Sequence, residues 1–121
     1  MKDWIAVGLG GALGAVLRFL IGSRLQSDGG FPFGTLAVNL GGAFILCALI
    51  GAAPLSGAWK AAVHTGFLGS FTTFSALGTE LFLMLESGKW GMAAVYAGVS
   101  LAGGLAAGLA GYRFGEGRSA R

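Results

Sequence analysis

Residues 66–75, GFLGSFTTFS, combine four hydroxyl groups, two glycines and three phenylalanines in one apolar stretch. One or two hydroxyls in a membrane helix bond to carbonyls a turn earlier and need no other explanation. Four within six residues, close behind two glycines, favour an interruption of the helix. At membrane depth, interrupted backbone requires protein, an ion or a water-filled pathway to satisfy its amides and carbonyls. Hydroxyl donors and the partially positive edges of phenylalanine rings suit a small, hard anion, so the stretch predicts an anion pathway.

Two further polar pairs have the i, i+4 spacing that places side chains on one helical face. Thr35 and Asn39 form one pair, within GTLAVNLGG, and Tyr96 and Ser100 form the other, with Gly104 continuing the line. An amide as deep in its segment as that of Asn39 needs a hydrogen-bond partner. Such a bond could simply hold helices together, at about 1 kcal/mol in membranes. The residue alone therefore leaves helix packing and pore lining open.

Enzymatic, metal-binding and nucleic-acid functions receive little support from the remaining residues. No pair of carboxylates shares one face of a span, and no nucleophile has a histidine at a diagnostic spacing. Cys47 is the single cysteine, which excludes an internal disulfide and a cysteine metal site, and the single His64 is interpreted as a polar residue near a helix end. The net charge of +3 and the short basic tail RFGEGRSAR do not indicate a nucleic-acid partner. The sequence predicts that the protein is not an enzyme.

Membrane-spanning helices must position these polar residues. Of the 121 residues, 55% are hydrophobic and 11% are charged, and the charges leave long uncharged stretches at 29–59, 61–79 and 90–112. Each stretch can hold the roughly 20 residues that cross a bilayer. The first apolar segment is shorter, so Arg18 must lie inside its span or extend toward water. A cleaved signal peptide is the alternative for this end, although Asp3 cancels the charge of Lys2.

We therefore predict a single transmembrane domain over residues 1–121, with four spans at about 4–23, 34–53, 60–86 and 90–112, the third of them broken. Pro54 is expected to end the second span and Gly88 the third. With four spans, both termini face the same side of the membrane. Amphipathic rings prefer the membrane interfaces, and three tryptophans fall at predicted span ends: Trp4, Trp59 and Trp90.

Small residues recur at four-residue intervals, a spacing that lets helix backbones approach closely. One face of the first span carries Gly10, Gly14, Arg18 and Gly22, and one face of the fourth carries Ser100, Gly104 and Gly108. Close packing, within the chain or between chains, is the expected role of these glycines. Basic residues are only slightly more frequent on the side of the termini near the early spans, so the chain could insert in both orientations.

Three segments of the chain resemble the signature segments of the Fluc, or CrcB, fluoride channels: GGALGAVLRF (10–19), FGTLAVNLGGAF (33–44) and TGFLGSFTTFS (65–75). The resemblance extends over the whole chain, and it is specific because the asparagine and the TTFS run occur in the family's order. It implies an all-α, antiparallel dual-topology homodimer in the lipid of a bacterial inner membrane. It also implies two pores through which fluoride leaves the cell passively, and a structural sodium ion at the dimer centre.

The resemblance also implies roles for individual residues. Backbone carbonyls of Gly69 and Thr72 would bind the sodium ion. Arg18 would lie near the vestibule, and Glu80 would be the acidic residue that follows the helix break. The residues implied to line the fluoride pore are Asn39, Thr73, Phe74, Ser75, Tyr96 and Ser100.

This sequence departs from the family's pattern just after the TTFS run. Leu77 occupies the position of a second phenylalanine, and Ala76 stands where a hydroxyl is usual. Leucine has no positive ring edge, so one half of an aromatic pair is missing. Either Phe71 substitutes for it or the pore works with fewer aromatic contacts, and conduction could then be slower.

Two other functional classes fit the size of the chain. A small dual-topology, proton-coupled drug exporter would need a carboxylate in the first span, where the charge present is that of Arg18. A membrane scaffold subunit without transport would explain the glycines and leave the polar stretches as packing. A fluoride/proton antiporter, which would also carry fluoride, would need a well-placed proton carrier within the membrane. The sequence offers no such residue, which favours passive flow. The sequence favours the fluoride channel.

Overall fold

The computed structural model describes residues 2–52 and 55–120, and all regular secondary structure in these ranges is helical. Four helices within them are long and apolar enough to cross a membrane, which confirms the predicted all-α membrane fold. The spans are α1 (Lys2–Arg24), α2 (Phe33–Ala52), a third span over Gly57–Glu86, and α6 (Trp90–Ser119). The third span consists of α3 (Gly57–Lys60), a π-helical segment (Ala61–Leu68), α4 (Gly69–Phe71) and α5 (Phe74–Glu86).

The predicted spans agree with these helices except at the end of α6. Hydropathy predicted an end near Tyr112, but α6 continues to Ser119. Hydropathy detects where the chain leaves the hydrocarbon, whereas a helix can continue into water wherever its residues allow. Pro54 and the predicted end of the second span at residue 53 lie outside the described residues.

Glycine turns connect the helices on the side opposite the termini. Gly30, with φ 76°, lies in the turn between α1 and α2, and Gly88, also with φ 76°, lies between α5 and α6. Positive φ strains residues that have a Cβ, so glycine is suited to both positions. The Gly30 amide donates to the Ser27 carbonyl at 3.1 Å, and the Lys89 amide donates to the Met84 carbonyl at 2.8 Å. Gly88 therefore ends the third span as predicted.

Backbone-to-backbone contact fixes α1 against the first half of the third span. Gly10 and Gly14 are buried, and a methyl group on them would overlap the carbonyls of Ala62 and Phe67, respectively. These contacts confirm the predicted role of the glycines in close packing, because only residues without a Cβ allow such an approach.

Within the chain, helix α6 packs against α2 through glycines near its carboxyl end. Methyl groups on Gly111 and Gly115 would overlap the carbonyls of Phe44 and Ala48 in α2. Gly108 also lies near α2, but a methyl group on Gly104 would meet no atom of another helix within 4 Å. Gly104 therefore does not take part in close packing within this chain. The reason is the rotation of α6 about its axis, which i, i+4 spacing does not determine.

Candidate ion pathway at the helix break

The third span is interrupted at Thr72 and Thr73, the two residues that we call the helix break. Thr72 has ψ 154° and Thr73 has φ −147° and ψ 118°, both extended conformations between α4 and α5. This confirms the interruption predicted from the density of hydroxyl groups. The sequence did not predict the preceding π-helical segment of 8 residues, a conformation that is rare in proteins and frequent at functional sites.

Asn39 joins α2 to the helix break by two hydrogen bonds. Its Oδ1 accepts from the Thr73 amide at 2.7 Å, and its Nδ2 donates to the Thr73 carbonyl at 2.9 Å. The side chain thus satisfies both backbone groups of a residue outside any helix. A carboxamide has two N–H donors, so one remains beyond the bond to Thr73.

At the break, two backbone amides donate to side-chain oxygens and not to the carbonyls that they would meet in an α-helix. In a continuous α-helix the carbonyl of Gly69 would accept from the Thr73 amide, which donates to Asn39 instead. The carbonyl of Thr72 would accept from the Ala76 amide, which donates to Thr73 Oγ1 at 3.1 Å. Both carbonyls that the family resemblance assigns to sodium therefore lie at the break and lack the bonds from their α-helical donors.

The side chain of Thr73 begins α5. Its hydroxyl accepts from the Ala76 amide as an N-cap and lies 3.2 Å from the hydroxyl of Ser75. The residue is buried, whereas Ser75 is exposed. The amino end of a helix carries partial positive charge and favours anions, so Ser75 lies where an anion would be favoured.

Glu80, Thr35 and Tyr96 form a hydrogen-bonded group that we call the Glu80 cluster. Thr35 Oγ1 donates to Glu80 Oε1 at 2.6 Å, and the Tyr96 hydroxyl donates to Glu80 Oε2 at 2.7 Å. Each carboxylate oxygen thus has a hydroxyl donor from a different span. Charge-assisted bonds of this kind are short and strong, and they offset the cost of placing a carboxylate at this depth.

Apolar packing holds Tyr96 in position. Tyr96 is fully buried and packs with Met84 and Ala93. The ring of Phe31 meets it edge-on, with centroids 5.4 Å apart and planes at 74°. Leu77 is partly buried against the same residues, so the side chain that replaces the family's phenylalanine lies beside the Glu80 cluster.

Two large cavities meet at the Glu80 cluster, and together we call them the vestibule. The first, of about 490 Å³, extends from half-buried Arg18 to the helix break, and the second, of about 500 Å³, extends from the cluster to the turn between α1 and α2. The first cavity's polar or charged lining residues are Arg18, Thr35, Thr73, Ser75, Thr79 and Glu80. Four predicted site residues, Arg18, Thr73, Ser75 and Glu80, therefore line one cavity, whereas Asn39 and Tyr96 line neither cavity of the vestibule.

The aromatic residues lie elsewhere. Phe74 is 86% exposed in this chain, at the first position of α5. Phe71 is buried and stacks on Phe67, with centroids 5.7 Å apart and planes at 7°. The ring of Phe71 also lies close to Gly42 of α2, so the geometry favours a packing role for it.

Ser100 also lies apart from the vestibule. It is half-buried one turn beyond Tyr96 on α6, and it lines neither of the two vestibule cavities. Its predicted place in a polar track along the fourth span stays a prediction.

Sequence reasoning missed the part that Thr35 plays in the site. Spacing identifies Thr35 only as a neighbour of Asn39, but its hydroxyl binds a carboxylate 45 positions away. The i, i+4 spacing did carry a signal, because it placed both side chains on the face of α2 that meets α5. Within residues 2–52 and 55–120 there is no group of three or more His, Cys, Asp or Glu side chains that could hold a metal. A cation there would depend on backbone oxygens.

Comparisons with known proteins show which sequences this chain resembles. Residues 5–112 match the family model described as CrcB-like protein, Camphor Resistance (CrcB). A fluoride-specific ion channel FluC 2 of Geobacillus kaustophilus is 45% identical, covering 90% of this chain and 89% of that protein. The FluC of Bordetella pertussis is 48% identical over 86% of this chain and 84% of its own length, and that of Gloeobacter violaceus is 42% identical over 93% and 94%.

Proposed function

The chain belongs to the CrcB family, and from this membership we propose that it is a fluoride-selective channel that lets fluoride leave the cell passively. Its closely similar relatives are named as fluoride-specific ion channels. The observation that carries the proposal for this chain is the helix break beside a polar vestibule. Neither a drug exporter nor a scaffold without transport is supported by these relatives.

The helix break places ends of opposite polarity next to each other. The carboxyl end of α4 presents carbonyls, and the amino end of α5 presents amides. Broken membrane helices bind ions in this way, with cations at the carbonyls and anions at the amides. A fluoride ion near Ser75 would find a hydroxyl and the positive end of α5, and the remaining N–H of Asn39 would be a further neutral donor at the break. None of these is a full positive charge that would trap the ion.

The vestibule supplies the aqueous part of the path. Arg18 lies in its first cavity and attracts anions, while Glu80 in the same cavity would repel them. The hydroxyls of Thr35 and Tyr96 reduce this repulsion by bonding to both carboxylate oxygens. Phe74 follows the break and is exposed in this chain, and in the proposed pore its ring edge would contact the dehydrated ion.

We propose that transport is passive because the deep carboxylate is fully engaged. A proton carrier must exchange protons during each cycle, whereas both oxygens of Glu80 already accept hydrogen bonds from hydroxyl groups. The antiporter alternative therefore has less support than a channel.

A structural sodium ion at the break forms part of the proposal. The carbonyls of Gly69 and Thr72 fit it in chemistry, because a hard cation prefers oxygen ligands and the α-helical donors of both carbonyls bond elsewhere. Gly69 is exposed, so its carbonyl is accessible to a second subunit. The ion would neutralise the carbonyl end of the break and join two copies of the chain.

An antiparallel homodimer would explain the exposed apolar surface of the single chain. A test of dual topology is to tag the carboxyl terminus and measure labelling from each face of the membrane. Labelling from both faces is expected, and strictly one-sided labelling would rule out an antiparallel pair.

Fluoride resistance of living cells tests the proposed function. A bacterial strain without its own fluoride exporter should grow in millimolar fluoride when it produces this protein. A variant with Asn39→Asp, produced at the same level in the membrane, should fail to protect. Equal growth of the strain with and without the protein would contradict the proposal.

A further inference from the structure

Glu80 lines three cavities, of which the two that form the vestibule are large. The third, of about 180 Å³, opens between the turn at 27–30 and the corner at 87–89. It has room for several water molecules, at roughly 30 Å³ each. Its lining residues are Gly30, Pro32, Glu80, Leu83, Met84, Ser87 and Lys89. We call this space the side opening.

Lys89 spans the mouth of the side opening. Its Nζ lies 3.3 Å from the position that a methyl group on Gly30 would occupy, so the ammonium group reaches from the α5–α6 corner to the α1–α2 turn. Both turns are fixed by glycines with positive φ and by internal backbone bonds. The backbone of the rim is therefore well defined.

The distribution of charge around Glu80 indicates a function for the side opening. The first vestibule cavity contains Arg18, and the side opening contains Lys89, but the second vestibule cavity has no basic residue in its lining. An anion that approaches a carboxylate from water needs a nearby cation to offset the repulsion. Charge at the mouth of a narrow, low-dielectric opening also raises the local concentration of counter-ions.

We propose that the side opening is an anion-collecting site, in which the ammonium group of Lys89 concentrates hydrated fluoride and passes it to the Glu80 cluster. This proposal rests on the proposed fluoride conduction. Ser87 lies in the same lining with its hydroxyl bonded to the carbonyl of Leu83 at 2.7 Å. A cysteine at this position would therefore allow the access of charged reagents to the side opening to be measured, without adding a charge.

The test combines chemical labelling with transport. In a Cys47→Ala, Ser87→Cys protein, an anionic and a cationic methanethiosulfonate reagent are compared for their rates of reaction in detergent at low ionic strength. We expect the anionic reagent to be favoured, and Lys89→Gln to lower this preference by about two- to threefold. Lys89→Arg should restore it. Arg24→Gln serves as the matched control, because Arg24 lies on the same membrane side and lines none of the three cavities.

Fluoride flux from liposomes then tests the link to conduction. At low salt, Lys89→Gln should lower flux about twofold, and the difference should shrink as salt screens the charge. Reaction of the cysteine in the Ser87→Cys protein with the anionic methanethiosulfonate reagent should also lower flux, because the attached group occupies the side opening. The proposal is overturned if Lys89→Gln and Arg24→Gln have equal labelling preferences, or if labelling leaves the flux of a conducting protein unchanged. Absence of flux from the unlabelled protein would instead contradict the proposed function. The labelling rates of the variants would still test the anion-collecting site in that case.

Discussion

The two halves of the third span are held in place by different interactions. The half before the helix break contacts the backbone of α1 directly. At glycines of α1 such as Gly14, an added methyl group would overlap a carbonyl of the third span. The half after the break is held by side-chain hydrogen bonds, from Asn39 to Thr73 and from Thr35 and Tyr96 to Glu80. Dry backbone packing provides a rigid scaffold, and exchangeable polar bonds lie where an ion would pass.

The largest effect is expected from disturbing the packed half. A side chain at Gly14 would overlap the carbonyl of Phe67, and backbone cannot move aside as a flexible side chain can. Gly14→Val should therefore destabilise the protein by about 3 kcal/mol and abolish flux through loss of folded protein. Thermal unfolding in detergent measures the change. Gly8→Val on the same helix is the control, because a methyl group there meets nothing within 4 Å. Equal stability of the two variants would show that the packing is looser than described.

The next effect comes from the polar half. Asn39→Asp removes the donor to the Thr73 carbonyl and adds a negative charge beside the path of an anion. We expect fluoride flux to fall by about tenfold or more in protein that still elutes as a folded species. Cys47→Ala on the same helix should leave flux near normal. Unchanged flux in Asn39→Asp would restrict Asn39 to helix packing.

Two phenylalanines on either side of the break provide a direct contrast. Phe74 is 86% exposed, so Phe74→Ile should leave stability unchanged while flux falls several-fold through loss of the ring edge. Phe71 stacks on Phe67, so Phe71→Ile should mainly lower stability, by about 1 kcal/mol. Flux and thermal unfolding are measured for both. A loss of flux in folded Phe71→Ile protein as large as that of Phe74→Ile would instead make Phe71 the substitute for the missing aromatic residue.

The smallest effect is expected at the family departure. Leu77→Phe restores a ring beside the Glu80 cluster and should preserve fluoride flux or raise it slightly, because Leu77 is only partly buried. Leu81→Phe, which adds the same bulk against the same cluster, controls for packing changes. A folded but inactive Leu77→Phe protein would show that the pore requires the leucine side chain and cannot accommodate a ring at this position.

The fold was largely predictable because its main signals are local. Uncharged stretches determined the four spans, and the density of hydroxyls in the TTFS region predicted the break. The π-helical segment at Ala61–Leu68 was not predictable, because no composition distinguishes it from an α-helix. The face of α6 that packs on α2 was not predictable either, since spacing shows which residues share a face and not which face meets another helix.

The sequence named candidate site residues, but their arrangement was not predictable from it. Asn39, Thr73 and Glu80 were all identified from the family resemblance. That Asn39 binds both backbone groups of Thr73, and that Glu80 accepts from two hydroxyls on other helices, depends on the rotation and depth of separate spans. Such contacts join residues 16 to 45 positions apart, where sequence spacing carries no geometric information.

Electrogenic anion efflux from liposomes tests the central claim most directly. Vesicles that contain the purified protein are loaded with potassium fluoride or potassium chloride, and efflux is followed with ion-selective electrodes before and after addition of a potassium ionophore. A passive fluoride channel predicts rapid fluoride efflux that begins when the ionophore permits charge balance, with chloride retained. Comparable chloride efflux, absence of fluoride efflux, or rapid fluoride efflux without the ionophore would contradict the account.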